Sequence, residues 1–322
     1  LLAGCNLAPR YRQPTAPIAP VYQPEGFAAA SADAPLASEL GWREFFRDPR
    51  LKALIAAALE RNRDLAQSYA RIDQARAQYR IQESQRLPTL EANGNASRSL
   101  QPPAALGNAI PQSIELSQYG ANVAVSAFEL DLWGRVRNLA EADRQRYLAS
   151  VEGARAFRLS LIAQVASAYF DLRAGEERIA LAERSLEGRR EGVRIAQLRL
   201  DAGVTSTVDY DQAVLLLTQT QTELADLQRS TEQTRNLLTV LIGGPINQEL
   251  PPANRLEDHI NPFREGLPSE LLSKRPDILQ AEHNLRGANA DIGAARAAFF
   301  PSISLTGSYG FASTALDGLF KG

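Results

Sequence analysis

His259 and His283 are the only histidines in the 322 residues. One falls in a proline-rich stretch and the other in a run of helix formers. Neither stands at metal-ligand spacing from a cysteine or a carboxylate cluster. Glu129 and Asp131 are two apart, so on an extended run they share one side of the chain and could pass for a carboxylate pair. They sit where an alternating run gives way to a helical one, and that position suits a structural joint better. No glycine-rich phosphate loop occurs, and nothing marks a nucleophilic serine with its base. The sequence therefore predicts no enzyme, no metal and no cofactor-binding residues. The remaining candidate is Cys5, the one cysteine. It can form no internal disulfide, so its position carries the information.

Leu2-Ala3-Gly4-Cys5 resembles the lipobox that ends a bacterial lipoprotein signal peptide. The resemblance implies cleavage before Cys5 and acylation of its amino end and its sulfur. Residues 1–4 are then the remnant of a signal peptide and stand outside the fold. More than one acyl chain anchors stably, at roughly 0.8 kcal/mol per buried methylene. The chain holds no Met, and its natural start is expected upstream. Its formal net charge of −2 gives no basic surface for nucleic acid. No run reaches the ~18 apolar residues of a transmembrane helix. A membrane crossing would need strands, because bare backbone in lipid is too costly.

The elements that position these residues follow from period and punctuation. Residues 5–48 carry Pro9, Pro14, Pro17, Pro20, Pro24 and Pro35 and predict an extended tether. Pro49 suits a first helical turn, and good helix formers run from Leu51 to Arg86 before Pro88, giving a helix across 49–87. Strand-like alternation then appears twice within 88–130, from Leu90 to Ser97 and from Gln118 to Ala127. Between them, Pro102, Pro103, Gly107 and Pro111 predict a loop over 100–115. From about Val136 to Leu200 there is no proline, and a helix that long would run roughly 100 Å. It carries a seven-residue seam, Val165, Leu172, Ile179, Leu186, Val193 and Leu200. A second seam is mostly small: Ala154, Leu161, Ala168, Gly175, Ala182 and Ala196. Heptads call for a partner helix, and small residues let it approach closely. Gly203 stops the helix. Thr205 or Ser206 can cap the returning helix, 207–242, whose inner face is Leu217, Leu224, Leu227, Leu238 and Leu241. Residues 131–242 thus predict a long antiparallel hairpin with its tip near 201–206, followed by a linker over 243–268.

The chain then repeats. Asp64 to Gly94 lies without a gap on Asp277 to Gly307, with Gln67/Gln280, Ala75/Ala288, Ala77/Ala290 and Pro88/Pro301 identical. Both copies pass from helix to alternating strand at the same proline, so 269–300 predicts a helix and 301–312 a strand. The first copy goes on to a second strand and the hairpin. The second ends after one strand, and a further strand and hairpin are expected beyond Gly322.

Three stretches carry a family resemblance. They are Trp42-Arg43-Glu44-Phe45-Phe46-Arg47-Asp48-Pro49, then Phe128-Glu129-Leu130-Asp131-Leu132-Trp133-Gly134-Arg135-Val136-Arg137, and Gly266-Leu267-Pro268-Ser269-Glu270-Leu271-Leu272. The last runs on through Arg275-Pro276-Asp277-Ile278 to Ala297-Ala298-Phe299-Phe300-Pro301-Ser302-Ile303. The chain resembles the TolC-like outer membrane factor family, in its lipoprotein branch serving resistance-nodulation-division (RND) multidrug efflux pumps. The resemblance implies a mainly α fold with membrane β. Long coiled-coil hairpins build an α-barrel, and strands join a shared trimeric outer-membrane β-barrel. It implies a homotrimer that passively conducts what an inner-membrane RND transporter exports through a periplasmic adaptor protein. The location implied is the bacterial outer membrane, lipid-anchored at Cys5 and extending into the periplasm. Adaptor docking falls on the hairpin tip: Arg199, Leu200, Gly203, Val204, Thr205 and Ser206, with Arg199 and the 204–206 backbone exposed. The family's inner constriction belongs largely to the second hairpin, so no gating residue is assigned. Two other readings stay open. One is an outer membrane factor of a protein-secretion (type I) exporter. The other is a peripheral scaffold lipoprotein built on a coiled coil, which would need no strands.

Overall fold

The computed structural model describes residues 6–15, 35–36, 39–102, 112–246, 250–251, 260–263 and 273–320. The residues fall into two compact units, one of 16–71 and 151–279, the other of 1–15, 72–150 and 280–322. Cys5, residues 1–4 and the centre of the 100–115 loop lie outside the described residues.

The first unit is built on a helical core. A short helix α1 (Trp42–Phe45) leads to Asp48, which caps α2 (Pro49–Arg61) by accepting the backbone N–H of Arg50 and Leu51. Leu51, Leu54, Ile55 and Ala58 recur at helical spacing and are all buried. They pack with Leu161, Val165 and Leu172 of the long helix α4 (Arg135–Asp201) and with Leu238 and Ile242 of α5 (Thr207–Ile242). Asp48 is fully buried, and its second carboxylate oxygen accepts the Tyr169 hydroxyl at 2.7 Å. Burial, then the Asp48 carboxylate, pushes the Tyr169 phenol above its ordinary value.

The seams behave as coiled-coil packing demands. Val165, Leu172 and Leu186 on the first are buried, as are Ala154, Leu161, Ala168 and Ala182 on the second. A Cβ on Gly175 would stand 2.5 Å from the Thr231 hydroxyl of α5. A small residue there is what allows the two backbones to approach.

One helix expected over 49–87 is two. Asn62 is extended between α2 and α3 (Arg63–Ser84). Its side chain accepts the N–H of Leu65 at 2.8 Å and donates to the Leu241 carbonyl at 2.9 Å. The same residue therefore starts α3 and satisfies an end carbonyl of α5. α5 ends in a left-handed Gly243 (φ 79°), whose missing Cβ would collide with the Arg61 carbonyl.

The second unit holds the sheet and the ends of the helices that feed it. α3 and α6 (Pro276–Ala297) are both 22 residues long, and they are the two copies of the repeat. Each leads through its proline into a strand, β1 (Leu90–Gln101) or β3 (Ser304–Ser313). The longer β2 (Ile114–Glu129) lies between them, antiparallel to both. A 3₁₀ turn, Leu316–Gly318, follows β3. β1 and β2 reach into the 100–115 segment expected as loop, because Leu100 pairs with Glu115 and Gln101 with Ile114.

Residues 6–15 belong to the stretch expected as an extended tether, and part of them is docked. Asn289 donates to the Pro9 carbonyl at 2.9 Å, Asn6 accepts from Asn138 at 2.9 Å, and Arg286 lies over the Tyr11 ring. Gly293 of α6 makes room for Ala8, since a Cβ there would stand 2.6 Å from the Ala8 methyl. The docking rests on partners in α4 and α6, far away in sequence, which composition does not reveal.

Candidate barrel wall and hairpin tip

The sheet has two unlike faces. In antiparallel pairing, residues directly opposite share a side. One side carries Leu90 beside Val125 and Gly307, then Ala92 beside Val123 and Tyr309, then Gly94 beside Ala121 and Phe311. The other carries Glu91 beside Ala124 and Ser308, and Asn93 beside Asn122 and Gly310. A bulge between Val125 and Phe128 shifts the register by one. It brings Phe128, opposite Leu305, back onto the apolar side. Without the bulge the aromatic ring would project among the serines and asparagines. Sequence alternation does not show it, since the bulge is visible only in the pairing.

Among the described residues only Phe320, packed edge-on against Phe311, lies against the apolar side. β1 is exposed at every position, and Tyr309 keeps 77% of its surface. A three-stranded sheet needs an apolar face packed on something to be stable in water, and an uncovered apolar row of this kind marks an interface. Toward the loop end, Arg98 pairs with Glu115 on the apolar side, so the apolar row has ended there. No described helix is long and apolar enough to cross a membrane. Alternating apolar and small polar residues over about ten positions is what a lipid-facing, water-lined barrel wall requires.

The strand-to-helix joint is built by the two acidic residues considered as a catalytic pair. Glu129 pairs with Arg135. Asp131 accepts the backbone N–H of Val136 at 3.1 Å and of Arg137 at 2.8 Å, and so caps α4. Trp133 stacks on Phe300, with ring centroids 4.7 Å apart, and donates to the Pro301 carbonyl. These contacts tie the base of β2 to the helix–strand switch of the second repeat. Both carboxylates are consumed by structure.

At the other end of α4 the chain turns through the tip. Gly203 has φ 68°, and its N–H donates to the Leu200 carbonyl while that of Val204 donates to the Arg199 carbonyl. This is a Schellman stop, which satisfies carbonyls the helix end would leave bare. Ser206 then caps α5 in a reciprocal box with Asp209, and the Thr205 hydroxyl also donates to Asp209. The Thr205 bond, followed by those from Ser206, holds the Asp209 carboxyl below its ordinary value. Arg199, Gly203, Val204 and Ser206 are exposed, while Leu200 and Thr205 are half-buried. Val204 and Val208 keep 74% and 69% of their surface, an apolar pair bracketing the turn. Val208 and Asp209 were not singled out from sequence; a Ser-x-x-Asp capping spacing was the available signal.

The model of the family described as outer membrane efflux protein matches residues 54–244 and 267–322. The chain belongs to the outer membrane efflux protein family. It is 41% identical over 329 residues to the probable efflux pump outer membrane protein TtgC of Pseudomonas putida. It is also 41% identical over 327 residues to the outer membrane protein OprJ of Pseudomonas aeruginosa. Each alignment takes in all of this chain and 66% of the relative, so the chain spans just under two thirds of their length. Among solved structures it is similar to the open state of the MtrE outer membrane channel of Neisseria gonorrhoeae. The TM-score is 0.83 at 41% identity, over 98% of this chain and 69% of that one. A membrane protein from Pseudomonas aeruginosa gives a TM-score of 0.84 at 40% identity, over 99% and 71%. The fold is thus that of the outer-membrane channels, long helices with a contribution to a β-barrel, and the location is the outer membrane. The three strands leave no place for the strandless scaffold reading, and TtgC is named for efflux rather than secretion.

Proposed function

We propose that the chain supplies one protomer's strands and helical hairpin to a homotrimeric duct that passively conducts exported compounds across the outer membrane. The observation that carries this is the two-faced sheet, with β1 exposed throughout and Tyr309 largely so, lipid suited to one face and water to the other. Closure with copies of itself removes the unpaired edges of β1 and β3, which lipid does not tolerate. An inner-membrane RND transporter supplies the energy. A periplasmic adaptor docks at the tip, on Arg199, Leu200, Gly203, Val204, Thr205 and Ser206, where exposed Val204 gives an apolar contact on a rigidly capped turn. A covalent lipid on Cys5 anchors the amino end. The duct needs no catalysis and no other cofactor.

Single-channel recording of the complete gene product in planar bilayers tests this. Discrete ion conductance that survives Cys5→Ser and is lost when the strand segments are removed is the expected result. Silence even with the cognate adaptor bound would overturn the duct.

A further inference from the structure

A cleft of about 470 Å³ opens between α3 and α4, in the unit that holds the sheet. Tyr79, Glu83 and Arg86 line it from α3 and the turn after it; Arg137, Glu141 and Arg144 line it from α4. Arg86 comes just before β1 starts at Leu90, and Arg137 just after β2 ends at Glu129. The cleft therefore stands at the foot of the sheet, beyond the pairing of Leu90 with Val125. Asn6 closes its edge, held by Asn138 and by the Ala8 N–H.

Its charge is set by three guanidinium groups against two carboxylates. Both carboxylates already accept hydrogen bonds. Glu83 takes the Tyr79 hydroxyl at 2.7 Å, and Glu141 takes Gln145 at 2.6 Å and Arg144 at 3.3 Å. Tyr79 is further fixed by stacking on Tyr147. The acids and the tyrosine thus form a settled floor, while Arg86 and Arg144 are exposed at the rim. Guanidinium forks match the oxygens of a phosphate in pairs. Basic pockets between helices at the level of a membrane surface take lipid head groups.

We propose that this cleft binds the phosphodiester head group of a membrane phospholipid, with Arg86 and Arg144 closing on the phosphate from either side. The proposal rests on the sheet being the membrane-embedded part. A lipid is the source, rather than free phosphate, because Leu87 and Leu90, which follow Arg86 in the chain and are exposed, offer its acyl chains apolar surface. Head-group binding here would hold a lipid against the strand–helix joint, where the wall must stay sealed.

The test uses the complete gene product in detergent, with retained adducts read by native mass spectrometry. The probes are dioleoyl phosphatidylglycerol, dioleoylglycerol (the same chains without phosphate) and inorganic phosphate. The variants are Arg86→Gln with Arg144→Gln, and Arg189→Gln with Arg190→Gln on the exposed surface of α4 as a control. Arg137 is left alone because it stands in the first turn of α4, where Asp131 caps its N–H. The expected result is roughly 25-fold weaker retention of phosphatidylglycerol by the cleft pair, at about five-fold per cation removed. The control pair should bind like the parent, and dioleoylglycerol should be held weakly by all. Equal retention by parent and cleft variant overturns the proposal. Displacement of the lipid by inorganic phosphate at similar concentration overturns the lipid as source. Conductance recorded alongside, with the cognate adaptor present, separates the two readings: a parent that conducts but retains no lipid sinks the cleft alone, and a parent that stays silent yet retains lipid sinks the duct alone.

Discussion

Val123 lies in the middle of β2, opposite Ala92 and Tyr309 on the apolar side. Its neighbour Ala124 lies opposite Glu91 and Ser308 on the polar side. An arginine at the two positions should therefore meet opposite fates. On the lipid face of a barrel at mid-depth it costs about 2–4 kcal/mol, and near the interface about 0–1 kcal/mol. Val123→Arg is expected to lower the folding equilibrium by roughly 30- to 700-fold. Ala124→Arg should be near neutral, with water and Glu91 to receive it. Ser117→Arg gives a third point. It shares the side of Val123, six residues away, which at ~3.4 Å per residue and ~40° tilt puts it about 16 Å higher. That is outside the half-height of a ~25 Å apolar band, and Arg98 and Glu115 already sit at this level. Ser117→Arg should cost about 1 kcal/mol or less. The assay is urea-titrated folding into phospholipid vesicles, read by the mobility of unheated samples on gels. The reasoning fails if Ala124→Arg costs as much as Val123→Arg, since the two faces would then be equivalent.

Three further outcomes follow from single contacts. Gly175→Ala alone should destabilise the hairpin by about 1–2 kcal/mol through overpacking against Thr231, whereas Gly175→Ala with Thr231→Ala should recover it and gain up to ~1 kcal/mol of helix propensity; additive melting shifts would show that the two helices do not meet there. At the tip, Gly203→Val puts a branched side chain at φ 68° and should cost about 1–2 kcal/mol, with Gly203→Asn intermediate, and equal thermal stability of all three by circular dichroism would contradict the turn. The Asp209 carboxyl is depressed in the folded state by Thr205 and Ser206, so its stabilisation is present above its ordinary value of 3.8 and is lost as pH falls below that toward the folded value; amide protection at the start of α5, corrected for intrinsic exchange, should fall over that interval in the parent and stay flat in Asp209→Asn.

Much of this architecture was legible because its signals are local. The switch at Pro88 and at Pro301 needs only a change of period, and α3 and α6 match in length as that repeat requires. The heptad seams of α4 and the stop at Gly203 are also written in side-chain size and backbone freedom. The features that escaped depend on partners distant in sequence. Asn62 stands among good helix formers, and only the Leu241 carbonyl shows why the helix breaks there. The bulge at Val125 is a property of the β2–β3 pairing, not of β2 alone. The docked segment Asn6–Tyr11 looks like a tether because prolines dominate its neighbourhood, while its binding signal lies in Gly293, Asn289 and Arg286. Glu129 and Asp131 were correctly placed at a joint, but their partners, Arg135 and the first N–H groups of α4, emerge only once the helix begins.

The central claim is that neighbouring residues of one strand look onto lipid and onto a conducting lumen. Single pores carrying Asn122→Cys or Val123→Cys, exposed to a charged, membrane-impermeant thiol reagent, test it most directly, with the parent's own Cys5 as the control for background. The account predicts a stepwise fall in current for Asn122→Cys and none for Val123→Cys or the parent. Block at Val123→Cys with none at Asn122→Cys would contradict it.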